Sequence, residues 1–276
     1  MLRNIRINTL ITIILAMLSL VPTTGSSATL TGKDIIIKAM NVYGGDDSVA
    51  HVEYQTTHPN SSAVDKMSLI RVWKPFRKDG IYSKVMSFST YPPSSVGVAT
   101  LVVAYDFSEK KRPDTWVYIP VLRKVKYLPP PKDESINPGE DDPNYAPSVM
   151  KIRELAPRDP NLDNHKLLGQ KTKNGVTYYV VESTPKNTRF EKYSKTRSWI
   201  RKDNFLRTKV EYYIAGKKSL IQHFQWKKIG NAWTWQKVIG KRRDGTTTTI
   251  TVSDVKINTG LKDSIFDQRT LKRGWK

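Results

Sequence analysis

From His51 to Ile257, short runs rich in β-branched and aromatic residues alternate with residues that make tight turns. That rhythm restricts the chain to antiparallel β-architectures. Strands are predicted at Val49–Thr57, Lys66–Trp73, Ile81–Thr90, Ala99–Phe107, Asp114–Ile119 and Arg123–Tyr127. A second series is predicted at Lys166–Lys171, Val176–Ser183, Lys195–Arg201, Leu206–Ile214, Leu220–Lys228, Ala232–Lys241 and Thr246–Ile257. Between them stand Lys78-Asp79-Gly80, Lys173-Asn174-Gly175, Ala215-Gly216-Lys217, Ile229-Gly230-Asn231 and Arg243-Asp244-Gly245. Asn-Gly and Asp-Gly pairs tolerate positive φ and so favour tight hairpins. Strands joined this way form a meander, and one this long curls because strands twist. The expected fold class is mainly β: a curved antiparallel sheet or incomplete β-barrel with a few covering helices. One helix precedes the strands. Thr31 stands three residues before Asp34, a capping-box start, and Ile35, Ile36, Ala39, Met40 and Tyr43 follow at helical spacing until Gly44-Gly45.

Leu128 to Pro147 breaks the rhythm, with Pro129, Pro130, Pro131, Pro138, Pro143 and Pro147 around acidic Asp133, Glu134, Glu140, Asp141 and Asp142. A loop this long in a compact domain is uncommon, and is usually a lid, a binding loop or a linker. The strands on both sides share lengths and turn types. The preferred organisation is therefore one β-domain over 29–276 with this loop at 128–147, and a domain division at the loop is the alternative. The C-terminus is expected to close with a short turn or helical piece at Asp263–Asp267 and a basic tail.

The N-terminus has the order of a secretory signal: Arg3 and Arg6, an apolar Leu10–Val21, then a small-residue stretch with Ser26 and Ala28 at the −3 and −1 positions. Residues 1–28 are read as a signal peptide cleaved after Ala28, which places the protein in the periplasm. The apolar run is shorter than the ~20 residues a membrane-spanning helix needs. The chain has no cysteine, which excludes disulfides, thiolate metal sites and a lipidated N-terminal Cys. At roughly 250 residues after the leader, a single large β-domain needs no staples.

The formal charge of +21 falls to +19 once Arg3 and Arg6 leave. Such an excess attracts polyanions, and in an exported protein the relevant one is an anionic membrane surface. The basic residues, Arg71, Lys74, Arg77, Lys78, Arg123, Lys124, Lys126, Lys241, Arg242 and Arg243 among them, are scattered along strands and turns as a solvated face. No nucleic-acid-binding motif accompanies them, so no nucleic-acid partner is expected.

Catalytic and metal patterns are missing. His51, His58, His165 and His223 lie too far apart in sequence for an H-x-x-H or H-E-x-x-H pair. There is no G-x-S-x-G elbow, no Gly-rich phosphate loop and no calcium-loop spacing around Glu140–Asp142. The apolar patterning says more. Leu101-Val102-Val103-Ala104-Tyr105 and Val176-Thr177-Tyr178-Tyr179-Val180-Val181 avoid water on both faces. Trp73, Trp116, Trp199, Trp226, Trp233 and Trp235 all fall on predicted strands, and large flat side chains suit the walls of an apolar cleft.

Arg112-Pro113-Asp114-Thr115-Trp116-Val117-Tyr118-Ile119-Pro120, followed by Val121-Leu122-Arg123-Lys124-Val125-Lys126, resembles the W-x-Y-x-P and basic-strand segment of the outer-membrane lipoprotein-sorting family related to LolA and LolB. Tyr178–Glu182, then Tyr193, Trp199-Ile200 and Asp203, then Leu206–Tyr213, Trp235–Lys237, Thr246–Thr251, Ile265-Phe266 and Leu271 are similar to later family elements in the same order. The segment Gly139–Leu155 departs from the family pattern, keeping Tyr145 and Leu155. The resemblance implies an open barrel with helices across its open side and an apolar interior for lipid or lipoprotein acyl chains. It implies no catalysis and no cofactor, and an inner-membrane exporter as a partner.

The leading function is therefore a periplasmic lipid or lipoprotein carrier. The alternatives are a non-catalytic structural or regulatory envelope protein that binds peptides or partner domains through its basic surface, and a hydrolase of envelope polymers. Period-2 geometry places Leu69 with Trp73, Leu101 with Val103, and Trp116 with Tyr118 on common strand faces. These six are the expected cavity wall, and either sheet face fits as the concave one.

Overall fold

The computed structural model describes residues 30–129, 147–189 and 191–275. The expected signal peptide and its expected cleavage site after Ala28, and most of the 128–147 loop, lie outside the described residues. Helix α1 spans Gly32–Met40, and Thr31 caps it through the expected reciprocal bonds with Asp34. Six strands follow: β1 Ser48–Thr57, β2 Val64–Lys78, β3 Ile81–Tyr91, β4 Ala99–Tyr105, β5 Asp114–Ile119 and β6 Lys124–Leu128. After a short helix α2, Ile152–Leu155, come β7 Asp163–Lys173, β8 Val176–Pro185, β9 Lys195–Arg201, β10 Arg207–Ile214, β11 Lys217–Ile229, β12 Ala232–Arg242 and β13 Thr247–Ile257. The basic C-terminal tail is not a bare extension. Gln268–Arg273 forms helix α3, whose first turn is held by Asp267 accepting from the Thr270 N–H, and Leu271 is buried.

Among the described residues, all thirteen strands belong to one antiparallel sheet in the order β6-β5-β4-β3-β2-β1-β13-β12-β11-β10-β9-β8-β7. Two meanders, β1 to β6 and β7 to β13, meet along the β1–β13 pair. β6 and β7 are the free edges, so the sheet is not closed. The hairpins are set by the expected residues. Asp79-Gly80, Asn174-Gly175 and Ala215-Gly216 each place two successive residues at positive φ, the conformation that matches the twist of the flanking strands. Register shifts at Val49/His51, Ser68/Leu69, Arg207/Lys209 and Gln225/Trp226 add local twist and bend.

The observed β2 continues past the predicted Trp73 through Pro75. β1 ends opposite Trp73 at Ser48, so from there β2 pairs on its β3 side alone, Pro75 facing Ser83. A proline, having no N–H to give, is tolerated on the unpaired side.

The sheet buries opposite faces in its two halves. We call the face carrying Val52, Val210 and Val238 the front. On the front, α1 packs Ile35 and Ile36 onto Tyr179, Val181 and Ile200, while Val149 and Met150 join Val52, Leu69, Val210, Leu220, Val238 and Ile250. On the back, Phe266 and Leu271 join Val72, Met86, Phe88, Leu101 and Val103. Val72 alternates with Leu69 and Arg71 along the same strand, so the first cluster and this one lie on opposite sides of β2.

Candidate functional site

Residues 147–155 fill the front of the C-terminal half. Met150 is fully buried, and its Sδ would stand 2.6 Å from any Cβ added at Gly240. The Val149 N–H donates to Thr248 Oγ1 at 2.9 Å, and the Thr56 hydroxyl donates to the Pro147 carbonyl. Glu154 is buried. Its carboxylate accepts from the Tyr193 hydroxyl at 2.7 Å and from the Lys151 N–H at 2.6 Å. Its carbonyl accepts from Gln222 Nε2 at 3.1 Å, and Gln222 in turn accepts from the Tyr212 hydroxyl at 2.7 Å. Burial raises the Tyr193 phenol, with the Glu154 charge and hydrogen bond adding to the shift. This is a packed and hydrogen-bonded interior.

The N-terminal half presents a different front. Trp73 pairs with Val85, Val85 with Val102 and Val102 with Thr115, in one cross-strand row. The next row runs from Arg71 to Ser87, Thr100 and Val117. All eight side chains are half-buried. α3 packs onto β4, β5 and β6 from the back, and α1 contacts β7 and β8 at the far end of the sheet. The strip formed by Trp73, Val85, Val102 and Val117 is thus an apolar surface on the same side as residues 147–155.

Of the six sequence-predicted wall residues, Leu101, Val103, Trp116 and Tyr118 come together in the cluster beneath α3. Leu69 lies on the opposite face, in the cluster around Met150. Trp73 stands in the front strip. Sequence reasoning did not single out Val85, Val102 and Val117, or the packing of residues 147–155. It also placed Arg71 among solvated charges, whereas its Nε is buried. A charge inside the run Leu69-Ile70-Arg71-Val72-Trp73 was the available signal. The six strand tryptophans are all half-buried, but dispersed. Trp226 and Trp235 pack edge to face at 6.2 Å on the front, while Lys209 caps the Trp199 ring at 4.1 Å on the back.

The back of the C-terminal half is polar. Glu182 pairs with Arg197 at 2.8 Å and Lys195 at 3.0 Å. Glu211 pairs with Lys209 at 2.7 Å and Lys218 at 3.1 Å and accepts from the Tyr213 hydroxyl at 2.7 Å. Burial pushes the Glu211 carboxyl up, but these three donors outweigh it and hold it at about 2. The Tyr213 phenol is pushed up to about 12 by burial and by its bond to Glu211. Arg197 and Lys195 likewise keep Glu182 ionised. Both carboxylates are therefore fixed anions inside ion pairs, and neither is poised to give or take a proton near neutrality.

His165 is similarly committed: its Nε2 donates to the Pro160 carbonyl at 2.9 Å, which leaves Nδ1 to accept from the Ser183 hydroxyl at 2.7 Å. No group of three or more His, Asp or Glu among the described residues is placed to hold a metal. Grooves open on both faces of the described sheet. One of about 380 Å³ lies beside the end of α1, bounded by Tyr43, Phe205 and Trp233. The other, of about 240 Å³, lies on the back of β7–β9 beside Val180, Arg197 and Trp199.

Solved structures are similar to this single open antiparallel sheet with short helices laid on it. A DUF1329 family protein from Desulfovibrio piger superposes with a TM-score of 0.71 at 24% identity, covering 87% of this chain and 97% of the other. A domain from Vibrio parahaemolyticus named for outer membrane lipoprotein sorting gives 0.69 at 22% identity over 88% and 98%. A LolA superfamily protein from Nitrosomonas europaea gives 0.58 at 20% identity over 87% and 99%. At these identities the likeness establishes the fold. No curated protein matches the sequence. Residues 82–273, more than half of the chain, match the family model described as "-like: Uncharacterized protein", and the chain belongs to that family.

Proposed function

We propose that this protein is a periplasmic carrier or chaperone for lipids or lipid-modified proteins, shielding acyl chains against the front strip of β2–β5. The observation that carries the reading is that strip: the cross-strand row of Trp73, Val85 and Val102, with Val117 in the adjacent row, half-buried on an open sheet. Each methylene removed from water contributes about 0.8 kcal/mol, so a lipid crossing an aqueous compartment needs such a surface. The names of the Vibrio and Nitrosomonas relatives support the same reading. In this account the leader is removed after Ala28, an inner-membrane exporter hands over the cargo, and the basic back face approaches anionic lipid. Lys195, Arg197, Arg201, Lys209 and Lys218 outnumber there the three carboxylates they pair with, Glu182, Asp203 and Glu211.

Mass spectrometry of an organic extract of the purified protein, beside binding of a fluorescent lipid, tests the reading. Co-purifying acyl species and saturable binding are expected, and a clean extract with no binding would sink it. N-terminal sequencing of the periplasmic fraction should begin at Thr29, and an intact Leu10–Val21 run would remove the processing step.

A second reading, a non-catalytic envelope protein that binds peptides or partner domains through its basic face, draws on the solid packing of residues 147–155 over β10–β13. It expects the same clean extract together with salt-sensitive capture of acidic peptides.

A further inference from the structure

Arg71 stands on the front face between Leu69 and Trp73, opposite Ala50 on β1 and Ser87 on β3. Its Nε is buried and meets no hydrogen-bond partner among the described residues. No ion pair reaches it from those residues either. Tyr54, on the same face of β1, is the neighbour that acts on its charge, and burial pulls the guanidinium down while raising the Tyr54 phenol. Arg158, Arg197 and Arg201, by contrast, all face carboxylates. A desolvated charge without a counter-charge is expensive to keep, and it becomes favourable once an anion arrives. The guanidinium fork suits two oxygens of one phosphate or carboxylate.

The surroundings extend the argument. Next to Arg71 across the sheet come Ser87 and then Thr100, two hydroxyls that can donate to the same anion. The adjacent row is Trp73, Val85 and Val102, with Val117 beyond Thr100. A polar row therefore lies beside an apolar row on one half-buried face. An amphiphile has that pattern.

We propose that Arg71, with Ser87 and Thr100, receives the anionic oxygen group of an amphiphile, a phosphate or carboxylate head, while the attached acyl chain lies along Trp73, Val85 and Val102. This rests on the carrier reading and adds to it the charge of the cargo. The probes are cis-parinaric acid and its uncharged methyl ester, titrated by fluorescence into the full chain. The acid is expected to bind roughly ten-fold or more tightly than the ester, the scale of charge-assisted hydrogen bonds at a partly desolvated site. Arg71→Gln should bring the acid to the level of the ester and leave the ester unchanged. Arg71→Lys should keep part of the preference.

The wild-type comparison needs no variant, so it stands even if a variant fails to fold. Equal binding of acid and ester would overturn the head-group assignment while the carrier reading stands. No binding of either would overturn both. Displacement of the acid by inorganic phosphate, with the ester undisturbed, would assign Arg71 to a free anion and overturn the amphiphile.

Discussion

The two halves of the sheet solve the same burial problem on opposite faces. In the C-terminal half the front is covered by α1 and residues 147–155, and the back is a lattice of ion pairs around Glu182 and Glu211. In the N-terminal half the back is covered by α3 and the front carries the half-buried strip. The strand sequences differ accordingly. β10 sets Val210 and Tyr212 on the front against Lys209 and Glu211 on the back, whereas β4 gives Leu101 and Val103 to α3 on one side and leaves Thr100, Val102 and Ala104 half-buried on the other. On β4, hydrophobicity beyond what the cluster under α3 takes up marks the surface proposed above to receive lipid.

Neighbouring residues on β4 give the sharpest way to break this comparison. Leu101 is 4% exposed beneath α3, and Val102 points to the other face. Leu101→Arg should unfold the protein, since burying an unpaired charge costs upwards of ~4 kcal/mol. Val102→Arg should leave the circular dichroism spectrum intact and abolish lipid binding. If both variants unfold, the front strip is packed core. If both fold, the cluster under α3 is loose.

The next largest effect concerns the packing of residues 147–155. Met150→Ala should cost ~2–5 kcal/mol in chemical denaturation, the usual range for emptying a fully buried site. Gly240→Ala, which drives a Cβ to 2.6 Å from Met150 Sδ, should cost ~1–3 kcal/mol by overpacking. Neutral results at both positions would mean that the segment rests on the sheet without being part of its core.

The ion pairs of the C-terminal back face titrate in a defined window. The Glu211 carboxyl lies at about 2 in the folded protein against an ordinary 4.5. The native state thus binds fewer protons than the unfolded chain between those values. Its contribution is complete above about pH 4.5 and is lost as pH falls through about 2. Glu211→Gln should lower stability at pH 7 by ~1–3 kcal/mol, and the difference from wild type should shrink over that same acid range. A constant difference from pH 7 to pH 2 would exclude Glu211 as the titrating group.

The smallest effect tests a turn. Ala215 holds φ +47° at the first position of its hairpin loop, where a Cβ is strained. Ala215→Asn should stabilise by roughly 0.5–1 kcal/mol, because Asn tolerates the left-handed region better. No gain in melting temperature would show the strain is relieved elsewhere.

The strands were legible because period-2 alternation and turn residues are local features. Asp114–Ile119 and Lys195–Arg201 are observed as expected. The helix at Gln268–Arg273 was hidden because one buried residue, Leu271, in a basic segment makes no periodic pattern. The faces were not legible: in Leu101-Val102-Val103 nothing local distinguishes the side that meets α3 from the side that does not. That is why four of the six expected wall residues share the cluster under α3 while Leu69 and Trp73 lie on the other face. Val149 and Met150 were equally silent, since two apolar residues in a Pro-rich stretch gain meaning only from Gly240 opposite.

The order of strands also determines when the molecule can be completed. Eleven of the twelve strand pairs join neighbours in sequence by hairpins or short connections and can form soon after those segments are free. The β1–β13 pair is different, since Thr56 and Thr248, hydrogen-bonded across it, are 192 residues apart. Closing so long a loop is slow, and it precedes the burial that rewards it. Until β13 arrives, β1 is an unpaired edge rich in Val, Tyr and Thr, the kind of strand that recruits other chains. A holding factor that binds extended chain during synthesis or export should therefore raise the yield of folded protein most when it recognises Ser48–Thr57.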